Sequence, residues 1–129
     1  MADVNRGNRP LSPFMIGPYY RPQLTSISSI MVRISGLAVL GVALLVVWWL
    51  VAAATSAEYF AIANAVLTSW FGDLVLLGAT WALWYHTLGR LRHVIWDFGH
   101  CLEVKVAEKL GIGMFVGATV LTIITVLVV

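Results

Sequence analysis

Few side chains in this 129-residue chain can do chemistry: three histidines, one cysteine, eight Lys or Arg and six Asp or Glu. His86 stands out because it lies in an apolar stretch, six residues before Arg92 and so about 9 Å from it along a helix axis. A neutral imidazole there either hydrogen-bonds a neighbouring helix or ligates a metal, for example as an axial ligand of haem iron. The residues alone leave both readings open. One histidine cannot fill both axial positions, so bis-histidine ligation would need a second chain. His93 follows seven residues later on the same face, beside Arg92 where the apolar stretch ends. The pair reads as a solvated helix end, or as cations placed to neutralise carboxylates at the edge of a haem. His100 falls in the following loop and is assigned no role, and its neighbour Cys101 reads as a reduced cytosolic thiol.

Ser29 and Arg33 make a second constellation. Four residues apart, they share one helix face. They fit a positively charged helix anchor. They also fit a hydroxyl and a guanidinium facing an apolar ligand with polar oxygens, such as a quinone, whose developing negative charge the arginine would stabilise. Spacing alone does not choose.

The elements that must hold these groups follow from composition. With 60% hydrophobic residues, 11% charged and a mean hydropathy of +0.91, the chain cannot cover a globule with polar groups, since soluble domains carry about 25% charged residues. A soluble domain, a disordered tail and a nucleic-acid module are excluded, and one cysteine rules out an intrachain disulfide framework. The composition predicts an all-α integral membrane protein.

A span needs about 20 apolar residues. Three are expected, near residues 30–55, 66–94 and 106–129, the second a tilted helix that includes the weakly apolar lead-in before Asp73. Residues 26–129 thus form a three-helix anchor behind an N-terminal arm, residues 1–25. The basic residues Arg6, Arg9, Arg21, Arg33, Arg90, Arg92, Lys105 and Lys109 all fall on one side of three crossings, and the other connection holds only Glu58 and Asp73. The positive-inside rule makes that side, and the N-terminus, cytoplasmic.

The arm carries Pro10, Pro13, Pro18 and Pro22, which preclude one long helix and predict an extended segment on the membrane surface, with Tyr19 and Tyr20 at the interface. Its first ten residues have no apolar core and are not a signal peptide. Thr25 or Ser26 is expected to cap the first span. Gly113 and Gly117 form a GxxxG suited to tight helix packing, with Gly36 and Gly41 as further points of close approach. The six tryptophans read as interface belt and packing.

These pieces, in order, resemble a known family. The segments Arg9-Pro10-Leu11-Ser12-Pro13, Tyr20-Arg21-Pro22-Gln23-Leu24-Thr25-Ser26, Ser29-Ile30, Arg33-Ile34-Ser35-Gly36, Tyr85-His86, Arg92-His93 and Trp96-Asp97 are similar to the cytochrome b556 subunits of succinate dehydrogenase, the larger of two small membrane anchors of respiratory complex II, in their alphaproteobacterial form. The likeness runs from about residue 9 to the third span. It implies a subunit of a bacterial inner-membrane succinate:ubiquinone oxidoreductase, working with a flavoprotein, an iron–sulfur protein and a second anchor. It implies His86 as an axial ligand of a haem b shared with that second anchor, Ser29 and Arg33 at the ubiquinone site, Arg33 and His93 near the haem propionates, and Asp97 near the quinone pocket. Two departures are visible: Val32 stands where the family commonly has histidine, altering the propionate surroundings, and Phe14 stands where the arm often has another.

Three other functions compete. A purely structural anchor would use His86, Ser29 and Arg33 only to pack helices, a related fumarate reductase would run the reaction in reverse, and a small transporter is disfavoured by the lack of charges deep in any span. The chain has no flavin fingerprint, cluster cysteines or dicarboxylate site, so it is expected not to oxidise succinate alone.

Overall fold

The computed structural model describes residues 21–129, and every described element is helical: α1 (Leu24–Thr55), α2 (Ala57–Leu67), α3 (Trp70–Asp97) and α4 (Val104–Val128). The arm expected over residues 1–25 lies outside the described residues up to position 20, as do Phe14, Tyr19 and Tyr20.

The uncharged runs produce the long helices. α1 has 32 residues and α4 has 25, each long and apolar enough to cross a bilayer. The middle of the chain departs from the single tilted helix expected across residues 66–94. α2 and α3 meet at Thr68–Ser69 with a bend of 71°. Local chemistry makes the break. Thr68 and Ser69 turn their hydroxyls back onto the carbonyls of Asn64 and Val66, while Ser69 Oγ accepts from the Gly72 amide (3.1 Å) and caps α3, with Asp73 in the first turn opposing the helix dipole. Gly72 is required there, because a Cβ would collide with the backbone carbonyls of Val66 and Leu67. Ser56 caps α2 in the same way through the Tyr59 amide. Trp48 Nε1 donates to the Tyr59 hydroxyl (2.9 Å), tying α2 to α1.

The expected cap of α1 is corrected. Gln23 occupies the N-cap position without a side-chain cap, Thr25 is already helical, and the Ser26 hydroxyl donates to the Gln23 carbonyl instead.

α3 runs antiparallel to both α1 and α4. Ser28 meets Arg92 and Val32 meets Gly89 on one side, and Gly89 meets Met114 and Arg92 approaches Gly111 on the other. The core is small: Val32, Tyr85, Met114 and Ala118, flanked by Met31, Trp81, Trp84, Leu88 and Phe115. Tyr85 is fully buried, stacked on Trp81 (5.1 Å between centroids) and tilted against Phe115 (4.8 Å). Trp81 and Trp84 are therefore packing residues, and each donates its indole N–H to a threonine of α4, Thr119 and Thr125. The outer faces remain apolar and exposed, as at Leu37, Leu44, Ile123 and Leu127, which suits a protein whose solvent is lipid.

Of the four glycines expected at close approaches, Gly36 and Gly117 have a near neighbour and Gly41 and Gly113 do not. Gly113 and Gly41 have nothing within 4 Å of a Cβ position, and Gly117 meets only Leu88 Cδ1. At Gly89, by contrast, a Cβ would lie 2.5 Å from Val32 Cγ2 and 3.2 Å from Met114 Cε. Gly89→Ala is therefore expected to destabilise the folded protein by about 1–3 kcal/mol through overpacking. Gly113→Ala should leave stability unchanged or slightly raised, because alanine is the better helix former. Thermal unfolding of the two variants in detergent checks the contrast.

Candidate functional site

The antiparallel contact of α1 and α3 opens a groove of about 330 Å³ at the end of the bundle where α1 begins and α3 ends. Its lining is Ser29, Val32, Arg33 and Gly36 from α1, and His86, Arg90 and His93 from α3. Four of the residues singled out in the sequence, Ser29, Arg33, His86 and His93, thus share one groove. Asp97 does not join them. It is the last residue of α3, exposed, and outside the lining. His100 and Cys101 lie in the exposed loop before α4, where the Cys101 backbone turns through a φ of 60° and its carbonyl accepts from Trp96 Nε1.

His86 is held by its partners. Nδ1 is 3.0 Å from the Val32 carbonyl oxygen and 3.4 Å from Ser35 Oγ. A carbonyl only accepts, so Nδ1 carries the proton. Nε2, 3.1 Å from Arg90 Nε, accepts. Two independent contacts therefore assign the same tautomer, with the Nε2 lone pair directed away from α1's backbone. The ring rests on Gly36, where a Cβ would stand 3.0 Å from Cε1. This is the arrangement that orients a metal-binding histidine, one ring nitrogen anchored to a carbonyl and the other left as donor. The residues therefore fit a haem ligand.

Ser29 differs from the other serines of its turn. The hydroxyls of Ser26, Ser28 and Ser35 donate to carbonyls of α1, whereas that of Ser29 makes no hydrogen bond among the described residues. Arg33 is exposed and has no ion pair among them either. Both donors are without a partner among the described residues. His93 packs edge-on against Trp96 (5.3 Å, 90°).

Sequence reasoning missed the buried group that ties α3 to α1 beside the groove. Arg92, read as part of a solvated helix end, is only 2% exposed. Its Nη1 donates to Ser28 Oγ (2.9 Å), its guanidinium lies 4.6 Å from the Trp96 ring, and its Nε and Nη2 are buried without partners among the described residues. The Tyr85 hydroxyl donates to the Ser28 carbonyl (3.1 Å) from the same helix. Ser28 is thus gripped through both side chain and backbone, next to Ser29. Arg90 was missed as well, although its position one turn after His86 was a usable signal.

The fold and site define an integral membrane subunit built of apolar helices, with an imidazole and cations gathered at one end. Residues 5–125 match the family described as Succinate dehydrogenase/Fumarate reductase transmembrane subunit, and the chain belongs to that family. It is 49% identical over 128 residues to the succinate dehydrogenase cytochrome b556 subunit of Paracoccus denitrificans, covering 99% of this chain and 97% of the relative. It is 29% identical to the cytochrome b556 subunit of Rickettsia conorii (90% and 89% covered) and 32% identical to the cytochrome b560 subunit of Marchantia polymorpha (93% and 90%). The likeness to the alphaproteobacterial form is therefore sound, and the protein is a multi-pass component of the bacterial inner membrane.

The Arg92 contact yields an asymmetric prediction. Ser28→Ala would strip a buried guanidinium of its one hydrogen-bond acceptor, and is expected to cost about 1.5–3 kcal/mol. Arg92→Met removes the charge together with its need for partners, and should cost less than Ser28→Ala. Thermal denaturation of the purified complex orders the two.

Proposed function

We propose that the chain is a membrane anchor of a succinate:ubiquinone oxidoreductase that holds haem b together with a second anchor subunit and forms part of the ubiquinone-reduction site. The observation that carries this reading is the groove itself, where Ser29, Arg33, His86 and His93 share one lining. Three spans follow if α3 crosses as the second and α2, turned by 71°, lies along the far surface. The N-terminus is then cytoplasmic, because Arg33, Arg90, Lys105 and Lys109 share that end while Glu58 and Asp73 lie at the other. A flavoprotein and an iron–sulfur protein would dock on the cytoplasmic side.

In this reading His86 Nε2 would hold the haem iron, with Nδ1 kept protonated by the Val32 carbonyl, and Arg33 and His93 would hold the propionates. Haem, when bound, supplies a one-electron couple beside the quinone. Ser29, with its uncommitted hydroxyl, donates to a ubiquinone carbonyl, and Arg33 stabilises the negative charge that builds on that oxygen. Two electrons from the partner subunits and two protons from the cytoplasmic side complete the reduction to ubiquinol. Asp97, one turn beyond His93 at the water-facing end of α3, stands near the quinone pocket rather than in its lining.

Two measurements test the reading. The reduced-minus-oxidised spectrum of the complex should show a b-type α-band that is lost in His86→Ala while all subunits still co-purify; a band that persists removes His86 as the ligand. Arg33→Ala should lower succinate:quinone reductase activity at least tenfold, leaving succinate oxidation by an artificial acceptor intact. Equal loss of both activities would point to failed assembly and to a purely structural anchor.

A further inference from the structure

Arg90 lies in the groove on the same helix face as His86, and its Nε donates to the one ring nitrogen that has a free lone pair, at 3.1 Å. The other nitrogen is committed to the Val32 carbonyl. A lone pair serves one acceptor at a time, so Nε2 can bond Arg90 or a metal, never both. Among the described residues no other polar contact restrains Arg90. The residue is exposed, and this bond is its one polar contact among the described residues. The groove lining carries no carboxylate that would draw it away. Arg90 is thus an occupant of the ligand position that leaves by side-chain rotation alone, while Gly36 and Val32 keep the ring where it is.

We propose that Arg90 is a displaceable latch on His86, a positioning residue that holds the imidazole Nε2 in the empty chain and is released when a haem iron takes that nitrogen. The proposal rests on the haem reading above. The latch keeps the Nε2 lone pair engaged until the porphyrin arrives, and so slows loading. No bond is made or broken covalently in the release: a hydrogen bond to Nε2 is exchanged for coordination by the same lone pair.

The test uses the whole complex, produced in haem-deficient cells and then supplied with hemin in native membranes, with loading followed by growth of the Soret and b-type bands. Arg90→Met keeps the length of the side chain without a donor, and Arg90→Gln keeps a donor without the charge. Arg90→Met is expected to load at least threefold faster than the unsubstituted complex and Arg90→Gln at close to its rate, with the final b-type spectrum the same in all three. An unchanged rate in Arg90→Met overturns the latch. A rate in Arg90→Gln as fast as in Arg90→Met overturns it too, by showing that charge rather than the hydrogen bond governs loading. Failure of the unsubstituted complex to gain any b-type band would instead sink the haem reading, and the latch with it.

Discussion

The contact on which the rest of this molecule depends is the meeting of Val32 and Gly89, where α1 and α3 come too close for even a methyl group. In lipid there is little hydrophobic gain in bringing two apolar helices together, so approach must come from packing and interhelical hydrogen bonds. Gly89 provides the packing, and the bonds lie on either side of it. One turn towards the start of α1, Ser28 receives Arg92 and Tyr85; one turn further along α1, the Val32 carbonyl and Gly36 receive His86. Both sets of contacts need the same register, so closure at Gly89 fixes the distance between the serine–arginine turn and the imidazole. The groove is a consequence of that register.

Arg92 shows how far a membrane protein can bury a cation when the geometry is shared. One N–H has a hydroxyl partner, the guanidinium face has Trp96, and two nitrogens have none among the described residues. Such a group is costly in hydrocarbon. It is tolerable here because it lies near the end of α3, in the last two turns before the loop. The Ser28 hydroxyl that satisfies it belongs to the residue next to Ser29, so the demand of a buried charge is met by stiffening the turn that carries the groove's free hydroxyl.

What could be read from the sequence follows from range. Uncharged runs announce α1 and α4 because insertion into lipid depends on composition alone, and His86, Ser29 and Arg33 are conspicuous because polar groups in such runs are few. The break between α2 and α3 was illegible in hydropathy, since the apolar run continues through it; only Ser69 followed by Gly72 and Asp73 marked a cap. The burial of Arg92 was beyond local reading. An arginine beside a histidine at the end of an apolar stretch looks solvated, and its partner is 64 residues away. The glycines make the same point. Gly113 and Gly117 carry the recognisable spacing, yet only Gly117 of the two has a close neighbour and the tightest approach of α1 to α3 is at Gly89, because which face of a helix meets a neighbour is decided by the fold and not by the spacing of small residues.

The groove is electrostatically unfinished in a way that favours a guest. Arg33 and Arg90 are both exposed cations on its wall, His93 can add a third donor, and no lining residue is acidic. Elsewhere the chain avoids such an imbalance: the long middle sections of α1 and α4 are free of charge. A concentration of donors around one oriented imidazole costs stability unless something electron-rich completes it. In the proposed reading a flat, largely apolar molecule with anionic or carbonyl oxygens at one edge would complete it, its body against Val32 and Gly36 and its oxygens among Arg33, Arg90 and His93.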